Sequence, residues 1–142
     1  MSDKVALSFV EICYALRNFK LPETDVVIGI GRGGIIPASL VAFQLKCDLQ
    51  IVRVNYRNDD NTPVRTKPTF LDEFALDLPV DSRILLVDDV SVSGKTLEVV
   101  KEKISQYKVQ TFVLKGQGDH VLFPDIKSCV HWPWKEDVMQ VT

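Results

Sequence analysis

The chain has 142 residues, 46% of them hydrophobic and 25% charged, with a formal net charge of -2. This is the balance of one ordinary globular domain with enough apolar material for a core. The charge leaves no basic field for a nucleic-acid backbone, and no run of about 18 apolar residues is present to span a membrane. Cys13, Cys47 and Cys129 stand far apart without a CxxC pair. They point to neither a zinc site nor a disulfide framework and are expected to be buried free thiols. With no charged-then-apolar leader in view, the cytoplasm is the expected compartment.

Val5, Phe9, Ile12, Cys13, Leu16 and Phe19 recur at helical intervals, which predicts an amphipathic helix over 3–19, ended by Leu21-Pro22. Residues 25–30 (DVVIGI) are β-branched and apolar on both faces, the pattern of a buried parallel strand. Gly31-Arg32-Gly33-Gly34 breaks it. A second helix is predicted over 35–45, with Pro37 tolerated in its first turn, and a strand over 49–54. Residues 55–82 are polar and rich in Asn, Asp and Pro, a composition that suits a lid, a binding loop or a disordered segment. Then come a strand over 83–87, a helix over 94–107, a strand over 109–114 and a short strand over 128–131. This alternation predicts an α/β fold: a parallel sheet with helices on both faces. Ligands of such sheets sit beyond the carboxyl ends of the strands, which directs attention to 31–34, 55–70, 88–95 and 115–120.

The most informative stretch is Asp88-Asp89-Val90-Ser91-Val92-Ser93-Gly94-Lys95-Thr96. Paired carboxylates at a strand end are costly without partners. The amides at the start of the following helix are unpaired and suit an anion. One loop therefore offers acceptors for hydroxyls or a hydrated metal at one end and donors for a phosphate at the other. The plainer alternative is that the acids cap the turn and Ser93 caps the helix. A P-loop is excluded, because no glycine stands at the required place upstream of Gly94-Lys95-Thr96. Arg32, flanked by Gly31 and Gly33, could grip an anion in two places or simply sit on a tight surface turn.

LLVDDVSVSGKT resembles the motif with which type I phosphoribosyltransferases bind 5-phosphoribosyl-1-pyrophosphate (PRPP), and VIGIGRGGIIP resembles their pyrophosphate loop. The likeness runs from about residue 26 to 134 and is greatest to small xanthine–guanine or hypoxanthine enzymes. It implies one parallel-sheet domain with a flexible lid at about 55–82 and a small C-terminal hood at about 115–142. It further implies that Asp88 and Asp89 accept the ribose hydroxyls and order Mg2+, partly through water. Ser91, Val92, Ser93, Gly94, Lys95 and Thr96 would cradle the 5′-phosphate, and Arg32, in the loop Gly31–Gly33, would hold the leaving pyrophosphate. Asn55 and Tyr56 stand in the lid, where Arg57, Arg65 and Lys67 are further candidates. Lys115 matches a lysine that reaches the exocyclic oxygen of a purine. Trp132 and Trp134 resemble the aromatic-Pro-Trp of the base pocket, though plain packing would also explain them. His120 and His131 receive no role. Relatives are commonly homodimers or homotetramers.

One position departs from the purine enzymes. Val92 stands where their turn has an aspartate that bonds the purine N7, and valine can neither accept a hydrogen bond nor take a proton. Cys129 stands where a stacking tryptophan is usual. The expected activity is transfer of the phosphoribosyl group from PRPP to a nucleobase, with Mg2+. The alternative is a regulatory module that binds PRPP or a nucleotide without turning it over.

Overall fold

The computed structural model describes residues 4–55, 69–70 and 76–135. In chain order the elements are β1 (Val5–Ala6), α1 (Phe9–Arg17), β2 (Val26–Gly31), α2 (Ile35–Leu45), β3 (Asp48–Asn55) and β4 (Thr69–Phe70). They continue with β5 (Arg83–Ser91), α3 (Lys95–Lys103), β6 (Lys108–Gly116), β7 (His120–Val121) and β8 (Val130–His131). Six strands form one sheet in the order β4-β3-β2-β5-β6-β7, parallel throughout except for β4. β1 and β8 form a separate parallel pair.

Side chains of a strand alternate between faces, and β5 feeds two cores in turn. Leu85 and Val87 pack with Ile12 and Leu16 of α1 and Val41 of α2. Ile84 and Leu86 pack with Leu97 and Val100 of α3 and with Ile104. The α/β architecture with helices on both faces therefore matches the sequence expectation. Among the described residues no helix is long and apolar enough to cross a membrane.

Several boundaries differ from those read in the sequence. The helix expected over 3–19 begins only at Phe9. Ser8 accepts a hydrogen bond from the Glu11 amide at 3.1 Å and donates its own to the Glu11 carboxylate at 3.0 Å. That capping box stops the helix from growing backwards, while Val5 and Ala6 pair with Val130 and His131. The helix expected over 94–107 ends at Lys103, and Tyr107 turns to bond the Leu76 carbonyl at 3.1 Å. Strand β5 runs past Val87 to Ser91 because β6, itself longer than expected, pairs Lys115 with Val90 and Gly116 with Ser91. Thr69 and Phe70 add a strand inside the polar segment, while Tyr56, Arg57, Arg65 and Lys67 lie outside the described residues. The cysteines are free, but none is fully buried and Cys129 is exposed, because it precedes an edge strand paired on one side only.

Candidate functional site

Strand β2 leads through α2 to β3 on one side, and β5 leads through α3 to β6 on the other. The chain therefore changes direction between β2 and β5, and a crevice opens at the carboxyl ends of those two strands. Their pairing stops at Gly29 and Val87. Beyond it, the loop after β2 and the acidic end of β5 face each other.

Asp88 and Asp89 lie on the strand itself rather than in the loop after it. The Asp89 amide donates to the Asp88 carboxylate at 2.9 Å, and the Val90 amide to that of Asp89 at 2.7 Å. Burial, with the adjoining Asp89 charge, pushes the Asp88 carboxyl well above the usual range. Lys135 Nζ lies 3.9 Å from Asp89 Oδ2. From the other side, a Cβ added to Gly33 would stand 2.6 Å from an Asp89 oxygen, so only glycine admits this approach of loop to carboxylate. Arg32 is exposed at the loop tip, after a cis Gly31–Arg32 peptide.

The loop from Ser91 to Gly94 follows. Ser91 is buried, whereas Val92 is 77% exposed. The Lys95 amide donates to Ser93 Oγ at 3.3 Å. Gly94 adopts a left-handed conformation (φ 80°) as the N-cap of α3, and no side chain caps that helix. Beyond the Lys95 amide, the first turn of α3 has no side-chain cap for its amides, and Thr96, half-buried, stands there. Asn55 ends β3. Lys115 is half-buried at the end of β6. Trp132 is only 2% exposed and belongs to the core on the α1–α2 face. The half-buried Trp134 stacks on it at 5.4 Å and 1°, so Trp134 presents the more open ring.

The two adjacent carboxylates are hard oxygen donors with one lysine as neighbour, a set that fits Mg2+. Among the described residues no group of three or more His, Cys, Asp or Glu could hold a metal alone. An ion here would share its oxygens with a substrate and water. Two residues of the site escaped the sequence reading. Lys135 carried a signal only in its place beside the Trp-Pro-Trp. Gln117, whose side-chain amide donates to the Val92 carbonyl at 2.8 Å, carried none.

Residues 16–140 match the phosphoribosyl transferase domain family. The xanthine-guanine phosphoribosyltransferase of Cereibacter sphaeroides is 33% identical over 93 residues, covering 65% of this chain and 54% of that protein. The transcriptional regulator GfcR of Methanocella arvoryzae is 27% identical over 96 residues, covering 66% and 45%. The chain thus spans about half the length of these two relatives. The crystal structure of a purine phosphoribosyltransferase from Pyrococcus horikoshii superposes with a TM-score of 0.76 at 28% identity, covering 94% of this chain and 95% of that one. With the crevice, the acidic strand end and the open loop before α3 in one place, the match over residues 16–140 carries a plain conclusion: the chain belongs to the phosphoribosyl transferase domain family.

Proposed function

We propose that the protein transfers the 5-phosphoribosyl group of PRPP to a nucleobase, a purine by its relatives, giving a nucleoside 5′-monophosphate and pyrophosphate. One observation carries the reading: an acidic pair and an uncapped helix start lie on one strand–loop–helix, opposite a glycine-flanked arginine. A sugar phosphate needs both kinds of group a few ångströms apart.

In this reading the amides and hydroxyls of 91–96 hold the 5′-phosphate dianion. Asp88 and Asp89 accept the ribose hydroxyls and orient C1 toward the crevice. Arg32 holds the pyrophosphate and neutralises charge as the C1–O bond breaks. Bound Mg2+ would supply further neutralisation of that leaving group, with Asp88 and Asp89 as its protein ligands. A base nitrogen then adds to the electron-poor C1, and its proton passes to solvent. Lys115, beside the exit of β6, would meet an exocyclic oxygen of the base.

A second reading, a PRPP- or nucleotide-binding regulator without turnover, draws on Val92 and on the similarity to a transcriptional regulator. A panel of purine and pyrimidine bases incubated with PRPP and Mg2+, with pyrophosphate release as the readout, separates them. Base-dependent release is expected. Binding of PRPP without release for any base would favour the regulator.

A further inference from the structure

Two hydrogen bonds from one residue hold the loop that precedes α3. The backbone amide of Gln117 donates to the Ser91 carbonyl at 2.8 Å, and its side-chain amide donates to the Val92 carbonyl, also at 2.8 Å. Gly116 brings Gln117 this near. Its φ is +104°, and a Cβ there would lie 2.0 Å from the Ser91 oxygen, so the end of β6 and the loop are back to back.

The consequence follows from the peptide unit. Both bonds, Ser91–Val92 and Val92–Ser93, are trans, because the Gly31–Arg32 bond is the only cis peptide among the described residues. In a planar trans unit the C=O and the N–H point in opposite directions. Anchoring the carbonyls of Ser91 and Val92 to Gln117 therefore turns the N–H groups of Val92 and Ser93 away from it. Among the described residues no backbone carbonyl accepts from either amide. Successive free amides of this kind form an anion-binding concavity. No other side chain bonds these two carbonyls among the described residues, and Ser93 Oγ is already engaged with the Lys95 amide.

We propose that Gln117 is a positioning residue for phosphate binding: it aims the Val92 and Ser93 amides at the 5′-phosphate without touching it. The inference rests on the proposed PRPP reading of this site. It also joins the two ends of the crevice, since Lys115, the residue expected beside the base, lies near the end of β6, and Gln117 directly follows that strand's last residue, Gly116.

The test compares wild type, Gln117→Ala and Gln117→Glu by calorimetry, with ribose 5-phosphate and inorganic pyrophosphate as separate probes. Gln117→Ala is expected to weaken ribose 5-phosphate binding roughly threefold to tenfold, the worth of one hydrogen bond. Pyrophosphate binding, at the Arg32 loop, and the thermal midpoint should hold. Gln117→Glu should bind ribose 5-phosphate worse still at pH 7.5, where a carboxylate cannot donate to the Val92 carbonyl. It should approach wild type as the pH falls and the acid becomes a donor, after normalising for the titration of the probe itself. Equal ribose 5-phosphate affinities in wild type and Gln117→Ala would overturn the inference alone, as would equal losses for both probes. If wild type bound no ribose 5-phosphate, the reading of the site and the inference would fall together.

Discussion

Val92 exposes 77% of its surface at the lip of the loop, where an apolar side chain gains little from burial. If that lip faces the base, it lacks the acceptor that could bond a purine N7, and general acid–base help of this kind is typically worth about 10²–10⁴-fold. Val92→Asp is expected to raise kcat/KM on hypoxanthine or guanine by about a hundredfold, the low end of that effect. Unchanged turnover would show that this turn does not adjoin the base. Gly33 offers a complementary probe. A methyl group there would press on the Asp89 carboxylate, and relieving such overpacking typically costs about 1–3 kcal/mol. Gly33→Ala should therefore raise the Kd for PRPP by roughly tenfold or more, the equivalent of the lower part of that range. Titration calorimetry in the presence of Mg2+ would read it, and an unaltered Kd would remove the loop from the site. At this scale the sequence was explicit about residues that have a chemical signature. Arg32 between glycines and the paired aspartates stood out; Gln117 did not, because a glutamine in a polar turn looks like any other until the strand beside it is known.

Among the elements, α2 was legible to the residue. It is bounded by Gly34 before and by a left-handed Lys46 after, and only the glycine-rich start is written in local chemistry. The start of α1 was not. Val5 falls in phase with the helical stripe, and only the Ser8–Glu11 capping box, with β8 as a waiting partner for β1, decides that the helix begins later. Ser8→Ala removes one arm of that box and should lower unfolding stability by about 1 kcal/mol. Urea denaturation would measure this, and the unchanged core should leave the m-value as it was. The length of β5 had a similar cause. Its apolar signal ends at Val87, yet the strand continues through both aspartates because β6 supplies partners as far as Gly116. That extension sets the two carboxylates on a strand ladder rather than in the turn after it, which suits the proposed role of orienting a sugar.

At the scale of the whole molecule, Arg83 ties the start of β5 to the chain ahead of β2. Its guanidinium bonds Asp25 at 2.9 and 3.1 Å and Glu23 at 2.6 Å. The Arg83 side-chain hydrogen bond, followed by its backbone amide, lowers the Asp25 pKa from 3.8 to about 2. A carboxyl held low in the folded state favours folding fully above its ordinary pKa. That contribution is lost as the pH falls from 3.8 toward 2. Both side chains are nearly half exposed, so the effect is modest. In urea unfolding, the difference between wild type and Asp25→Asn should be constant above that window and shrink through it. A difference independent of pH would show that the pair contributes nothing by its charge.

The sequence alone determined the alternation of strands and helices, the two glycine-bearing loops proposed to bind phosphate and the family they resemble, because each is encoded in neighbouring residues. The tertiary structure decided what depends on distant partners. The order β3-β2-β5-β6 opens the crevice between Arg32 and the aspartates, and the end of β6 holds the carbonyls of Ser91 and Val92. It also buried Trp132 beneath Trp134 and brought Lys135 beside Asp89. Periodicity and turn chemistry act over a few residues, whereas strand order and close packing join positions far apart in the chain, and no local pattern carries them.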